Sequence, residues 1–255
     1  MPRPPISVFL ITLNEEARLG RTLDAVRGWA DEIVVVDSGS TDRTLEIAKA
    51  AGARVFHNDW PGYGAQKRFA EDRCSHDWLF NLDADEVPGP RLLAEIDAAL
   101  GTEPALFRTR ILNVYPGDDR PRPLANDYNV VRLYHRAAGR YRDHPLFDRV
   151  EPSDEAAIRK LSEPILHYPF TDWGSLAAKL NRLTDFQARE AKRKPRGVLL
   201  ARLFVEFPVQ FVKYWLFRGH ILGGWKGFAF AVVQAFFRWL RIVKMLAADQ
   251  ATSAP

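Results

Sequence analysis

Cysteine is almost missing from this chain: Cys74 is the only one among 255 residues. An internal disulfide is therefore excluded, and so is a zinc cluster built on cysteine, which fits a reducing compartment. Cys74 falls on an expected helix, where it reads as core filler rather than a nucleophile. No uninterrupted apolar stretch reaches the ~20 residues that a membrane-spanning helix requires. Met1 to Pro5 lead straight into an expected strand, with no apolar core and cleavage site of a signal peptide, so the expected location is the cytoplasm. Phosphate loops are missing as well. Pro61-Gly62-Tyr63-Gly64 fits neither the Walker pattern nor a full G-x-G-x-x-G, and reads as a turn.

What is present is ample material for a core, since 47% of the residues are hydrophobic. That suffices for one sizeable domain with an appendage, or for two small ones. The net charge of +4 conceals an asymmetry: Leu176 to Pro255 hold 14 Lys and Arg against 4 Asp and Glu, leaving 22 against 28 for the first 175 residues. A basic C-terminal third implies contact with phosphate, on nucleic acid or on an anionic membrane.

The first hundred residues alternate strand and helix. Ile6 to Thr12 read as a buried strand, after which Asn14-Glu15-Glu16 open an expected helix carrying Leu19, Leu23 and Val26 at helical spacing. Ile33-Val34-Val35-Val36-Asp37 has the β-branched continuity of a parallel strand covered on both faces. Ser38 to Asp42 supply a tight turn and N-caps for a helix through Leu45, Ile47 and Ala48. A third strand over Ala53 to His57, a helix over about 64–74 and a fourth strand at Trp78-Leu79-Phe80 complete three strand-helix repeats. This order predicts a doubly wound α/β sheet.

The fourth strand ends on Asn81-Leu82-Asp83-Ala84-Asp85-Glu86, with Pro88-Gly89-Pro90 behind it. Ligands of open α/β sheets bind beyond the carboxyl ends of strands. If the strand persists, its period of two turns Asp83 and Asp85 to one side, where they can face a hard cation or a polar ligand. The alternative is a turn whose acids cap a helix starting near Arg91. Asp37 ends its own strand in an equivalent place, and either ligand contact or turn formation accounts for it.

Taken together, the opening Leu-Ile-Thr-Leu-Asn-Glu-Glu, Val34-Val35-Val36-Asp37-Ser38-Gly39-Ser40-Thr41-Asp42 and Asn81-Leu82-Asp83-Ala84-Asp85-Glu86 resemble glycosyltransferase family 2, in order and in spacing. Within it they look like the bacterial branch that contains lipopolysaccharide core glucosyltransferases; Leu166-His167-Tyr168-Pro169-Phe170 and the basic tail extend the likeness. The resemblance implies the GT-A fold, a Rossmann-like, mostly parallel sheet flanked by helices. It implies a UDP-sugar donor, with Thr12, Asn14 and Glu15 lining the nucleotide pocket, Asp37 on the uridine base or ribose and Lys67 approaching the nucleotide. Asp83 would contact ribose or metal, and Asp85 would hold a divalent cation, Mg²⁺ or Mn²⁺, against the diphosphate. His167 would complete the metal shell, or else be structural.

Transfer with inversion needs a base for the acceptor hydroxyl. Asp148 is the first choice, with Asp143 and Glu151 behind it, although Phe147 stands where related enzymes place the acid directly after a His. Any of these acids would serve equally as an ion-pair partner for its arginine neighbours. Ala105 to Leu112 and Val130 to Arg136 are expected strands, and Tyr115 to Tyr128 an expected loop, either an acceptor clamp or a solvated excursion.

Residues 1–170 are thus expected to form the GT-A catalytic domain and residues 171–255 a basic amphipathic helical extension. Leu199 to Phe217 and Phe228 to Leu246 are apolar and aromatic, punctuated by Arg202, Lys213, Arg218, Lys226, Arg238, Arg241 and Lys244. That pattern suits the interface of an anionic membrane, not nucleic acid, and packing on the catalytic domain or a second copy of the chain is the alternative. The expected function is a metal-dependent inverting transfer from a UDP-sugar to a lipid-linked or lipopolysaccharide-core acceptor at the cytoplasmic membrane face. A nucleotidyltransferase of similar fold and a non-catalytic membrane-bound sugar-binding protein are the rivals.

Overall fold

The structure, a computed structural model, describes residues 3–101, 103–125, 127–144, 148–154, 156–190 and 195–251. The chain divides into two compact units, residues 1–113 with 127–168, and residues 114–126 with 169–255.

In the first unit the order is β1 (Ile6–Thr12), α1 (Leu19–Val26), β2 (Glu32–Asp37), α2 (Thr44–Ala50), β3 (Arg54–His57), α3 (Tyr63–Arg73) and β4 (Trp78–Asn81). There follow β5 (Glu86–Pro88), α4 (Pro90–Ala99), β6 (Ala105–Asn113), β7 (Asp127–His135), β8 (Gly139–Tyr141), β9 (Val150–Pro152), β10 (Ala157–Lys160) and β11 (Ile165–His167). One curled sheet runs β3-β2-β1-β4-β7-β6-β11-β5, and β10 shares the outer edge of β6. Its first four strands are parallel, whereas β7 enters antiparallel to both β4 and β6.

The apolar runs explain the layering. Ile6, Val8 and Leu10 of β1 pack with Leu19, Leu23 and Val26 of α1 and with Leu92 and Ile96 of α4. Phe9 joins Val34, Val36 and Leu79 under Ala70 of α3 on the other face. Alternate residues of a strand point to opposite faces, so a strand covered on both sides must be apolar throughout. This is the expected α/β class.

The first helix begins later than its sequence suggests. Residues 14–18 form a turn, because the amide N–H groups of Asn14, Glu15 and Glu16 donate to Ser40 Oγ, Thr44 Oγ1 and Asp42 Oδ2 at 2.8, 2.7 and 3.1 Å. Asn14 takes a left-handed φ of 55° to make this crossing. The fourth strand also stops short, at Asn81, so the period-two placement of Asp83 and Asp85 does not arise. Capping of the following helix does not arise either: α4 starts on Gly89 with no side-chain cap.

The second unit holds α5 (Trp173–Glu190), α6 (Arg196–Val212) running on through a π-helical turn over Lys213–Phe217, a 3₁₀ turn over His220–Gly223 and α7 (Gly224–Ala251). The segment read as a loop at Tyr115 to Tyr128 contributes residues 114–126 to this unit. There Tyr115 bonds His220 Nδ1 at 2.5 Å, and Arg122 donates to the carbonyls of Arg218 and Gly219 at 2.7 and 3.1 Å. Gly227 permits the contact beneath them, since a Cβ there would lie 1.9 Å from the His220 carbonyl oxygen. Among the described residues no helix is long and apolar enough to cross a membrane.

Candidate active site

Strand β1 sits where the sheet order reverses: β2 and β3 lie to one side and β4 to the other. A crevice opens at the carboxyl ends of strands at such a switch point. The turn after β2 and the turn after β1 are laced together there. Asp37 is buried, and its Oδ1 accepts the N–H groups of Gly39 and Ser40 at 2.9 and 2.8 Å. Its Oδ2 accepts the hydroxyls of Thr12 at 3.0 Å and Ser40 at 2.5 Å. Burial alone would raise the pKa of Asp37, but these donors lower it below the ordinary value. A carboxylate has about four acceptor sites, so this one is filled by its own loop. Asp37 therefore builds the rim, and Ser40, Thr12 and the Asn14 amide lie around it.

The acidic turn after β4 splits into two environments. Asp83 is gripped by two buried cations: Lys67 Nζ lies 2.9 Å from its Oδ1 and Arg132 Nη2 lies 2.6 Å from its Oδ2. Burial opposes the charged form, yet Arg132 and Lys67 together hold the Asp83 carboxyl far below the usual carboxylate range. Glu86, fully buried, takes the same Arg132 at 2.5 Å and accepts the Asp83 amide at 3.1 Å. Its pKa is raised, because burial outweighs the attraction of Arg132. Arg132 also donates to Asn81 Oδ1 at 2.7 Å, which Tyr141 reaches with its hydroxyl at 2.8 Å.

Asp85 faces elsewhere. Its Oδ2 accepts from Arg18 at 3.1 Å, and its Oδ1 lies 3.3 Å from His167 Nε2. Strand β11 holds His167 beside the turn by pairing with Glu86, and the Tyr168 amide donates to the Asp85 carbonyl at 2.8 Å. His167 Nδ1 meets Asn113 Oδ1 at 2.7 Å. Both partners are acceptors, so the pair suits an imidazolium that donates from Nδ1 to Asn113 and from Nε2 to Asp85; burial lowers the pKa of His167, and the Asp85 hydrogen bond and charge raise it by more. Glu15 meets Arg18 at 2.6 Å, and Arg18 in turn reaches Asp85.

Among the described residues no three His, Cys, Asp or Glu side chains converge into a closed metal cage. Asp85 and His167 nevertheless form an oxygen-nitrogen donor pair. Mg²⁺ and Mn²⁺ commonly take one or two carboxylates and complete their shell with substrate phosphate and water. The donor set fits that mode and does not fit a structural metal.

Lys67 lies deeper than its expected place against the nucleotide. Its side chain is 1% exposed, and Nζ bridges Asp83 to Asp148 Oδ2 at 3.0 Å. Burial disfavours the ammonium, but Asp83 outweighs this and its pKa is raised. It can act on a ligand only through those two carboxylates. Asp148 itself is half exposed beside them, while Glu151 pairs with Arg142 at 3.3 Å. Phe147 lies outside the described residues.

Sequence reasoning missed Arg132, Arg18 and the role of Glu86. The signal for Arg132 was available: a charged residue inside Val130-Val131-Arg132-Leu133-Tyr134 needs a buried partner, and the acidic turn is the obvious one.

A family model described as "Glycosyl transferase family 2" matches residues 7–153, which cover most of β1 and the elements from α1 to β9. An uncharacterized glycosyltransferase of Rickettsia bellii is 33% identical over 252 residues, 94% of this chain and 85% of that protein. The lipopolysaccharide core biosynthesis glycosyltransferase LpsC of Rhizobium meliloti is 30% identical over 258 residues, 96% of this chain and 93% of its own length. Among solved structures, glucosyl-3-phosphoglycerate synthase of Mycobacterium tuberculosis in complex with uridine diphosphate is 32% identical, covering 45% of this chain and 46% of that one, with a TM-score of 0.35. With its curled α/β sheet, its acids at the strand ends and a family match over more than half its length, the chain belongs to glycosyl transferase family 2 and is a glycosyltransferase.

Proposed function

We propose that this enzyme moves a hexose from a UDP-sugar to a lipid-linked or lipopolysaccharide-core acceptor, with inversion at the anomeric carbon, on the inner face of the cell membrane. The observation that carries the donor half is the division of the acidic turn. Asp83 is neutralised by Lys67 and Arg132, whereas Asp85 Oδ1 lies 3.3 Å from His167 Nε2, an oxygen–nitrogen pair of the type that Mn²⁺ takes. The acceptor class is supported by LpsC, which is named for lipopolysaccharide core biosynthesis and aligns over nearly the whole chain.

In this reading the acceptor hydroxyl attacks the anomeric carbon from the side opposite the diphosphate. A carbon–oxygen bond forms to the acceptor as the bond to the diphosphate breaks, and UDP departs with the bonding pair. Asp148 takes the hydroxyl proton on its carboxylate, held in place by Lys67 Nζ at 3.0 Å. Asp85 and His167 would hold a divalent cation, which supplies positive charge against the diphosphate as it leaves. In this reading the turns after β1 and β2, tied to each other through Asp37, Ser40 and Asn14, would wall the nucleotide end.

The test is UDP release with purified lipid-linked saccharide acceptors, in saturating Mn²⁺ or Mg²⁺. Asp85→Ala is expected to remove nearly all transfer while leaving the melting temperature within a few degrees. Near-wild-type transfer by that variant would sink the cation assignment. Release of pyrophosphate in place of UDP would instead favour nucleotidyl transfer.

A further inference from the structure

Helix α6 is amphipathic in the reverse sense to a helix on a water-exposed surface. Its inward side carries Leu199, buried against Ile242 and Met245 of α7, together with polar groups. Glu206 is buried and paired with Arg202 at 2.6 Å, Gln210 reaches the same carboxylate at 3.4 Å, and Trp239 of α7 donates to the Leu203 carbonyl at 3.0 Å. The outward side is apolar. Phe204, Val205, Val209, Val212 and Leu216 recur at spacings of one, three and four residues on one stripe, and every one is exposed. Phe204 is 81% exposed, and Phe217, at the end of the π-helical turn, 84%. Exposed apolar groups resume at Ile221, Leu222 and Trp225.

A solvated helix does the opposite, burying its apolar stripe and showing its ion pairs to water. Leu199 packed on α7, with Glu206 buried and the Leu203 carbonyl taken by Trp239, sets the facing of α6 and leaves the apolar stripe outward. The exposed stripe is therefore built to be covered. Arg196, Lys213 and Arg218 are exposed along and beside it, within a segment of 14 basic against 4 acidic residues. A second copy of the chain would bring the same cations to the same face and be repelled, whereas an anionic lipid surface complements them. No described helix can span a bilayer, so such a surface must be met side-on.

We propose that α6 and its π-helical continuation lie flat in the headgroup region of an anionic bilayer, with the stripe from Phe204 to Phe217 inserted and Arg196, Lys213 and Arg218 on lipid phosphates. This rests on the membrane reading above and commits it to one face of one helix.

The test is co-sedimentation of the full chain with vesicles of phosphatidylcholine mixed with phosphatidylglycerol. A triple variant, Phe204→Asp with Val205→Asp and Val209→Asp, is expected to bind at least about tenfold more weakly. A control, Ile158→Asp on exposed β10, is expected to bind as wild type. Should the triple variant misfold, the single buried Cys74 leaves a second route. A polarity-sensitive dye on Val209→Cys should shift to the blue on these vesicles, and the same dye on Ile158→Cys should not. Wild-type binding with an unshifted Val209→Cys label, or with an unweakened and folded triple variant, overturns the stripe and leaves the membrane reading standing. Failure of the wild type to bind overturns both. A wild-type dimer that the triple variant converts to monomer, seen by light scattering, would assign the stripe to a second copy and refute the proposal.

Discussion

Replacing Arg132 by Met should be the most damaging single change in the first unit that removes no apolar contact. Arg132 is 3% exposed and its guanidinium serves three acceptors: Asn81 Oδ1 at 2.7 Å, Asp83 at 2.6 Å and Glu86 at 2.5 Å. Met has the length to fill the channel but donates nothing. Asp83 keeps Lys67, whereas Glu86, with no exposed surface, loses the cation that compensates it. Breaking a buried pair from one side costs about 3–5 kcal/mol, a large share of the ~5–15 kcal/mol that holds a domain together. Glu86→Gln in the same chain removes the stranded charge and keeps an oxygen for the Asp83 amide, so the double variant should recover about 2 kcal/mol. The sign with pH follows from Glu86. Its folded pKa is already raised by burial, and losing Arg132 raises it further. Stability tied to such a group is full below the unfolded value and is lost as pH rises through the folded one. The Arg132→Met deficit should thus be larger at pH 8 than at pH 5. Urea unfolding of the four proteins of the cycle at both pH values measures this. A single variant within about 1 kcal/mol of wild type at pH 8, or a double variant no better than the single, would refute the reasoning.

Three further outcomes are expected. Glu32 is nearly enclosed by Ser7, Ser75 and Arg54, and although burial opposes its charge these partners depress its pKa to about 2; its stabilisation is complete above the unfolded value of 4.5 and fades as pH falls toward 2, so Glu32→Gln should lose about 2–3 kcal/mol at pH 7 and show a flatter acid denaturation curve. His220 is buried against Tyr115, and burial followed by the charges of Arg122 and Arg218 pushes its pKa down to about 4; protonation then favours the unfolded chain, so the helical unit should weaken as pH falls from 6.5 toward 4, and His220→Gln should remove much of that slope in thermal melts. Gly227→Ala, which in an open helix would gain about 1 kcal/mol, should instead destabilise by about 2–4 kcal/mol in urea, because its Cβ would sit 1.9 Å from the His220 carbonyl oxygen.

The layers of the first unit were legible because parallel strands covered on both faces must be apolar without interruption, as Val34-Val35-Val36 is. Leu19, Leu23 and Val26 likewise betrayed the buried side of α1. The start of that helix was not legible. Asn14, Glu15 and Glu16 look like a helix opening, and the hydroxyls and carboxylate of Ser40, Thr44 and Asp42, 26 to 29 residues away, draw their amides elsewhere. The site was legible as a set of acids and opaque as a circuit. Residue order cannot say that Asp83 turns inward to Lys67 and Arg132 while Asp85 turns to His167, since that depends on the strand ending at Asn81. In the tail, apolar residues occur all round α6, so the helix could be found but its facing could not; the packing of Leu199 on α7, with Glu206 buried, decides it.

The pairing pattern also bears on why two carboxylates stand so close together at the end of β4. Asp83 and Asp85, left ionised side by side, would repel each other and raise one pKa. Lys67 and Arg132 hold Asp83 in its charged form, so its carboxylate is spent on structure and on linking the acidic turn to Asp148 through Lys67. Around the crevice the carboxylates of Glu15, Asp83, Asp85, Glu86 and Asp148 face the cations Arg18, Lys67 and Arg132. These eight groups, all ionised, carry an excess of two negative charges, which a divalent cation would offset. A nucleotide diphosphate brings further negative charge to the same place, and without a cation it would meet a surface of its own sign. Arg18 alone cannot compensate, since Glu15 already shares it. An excess of negative charge at the crevice is the setting in which the cation of the proposed reaction would favour the diphosphate, and removal of divalent cations with EDTA should therefore weaken UDP binding.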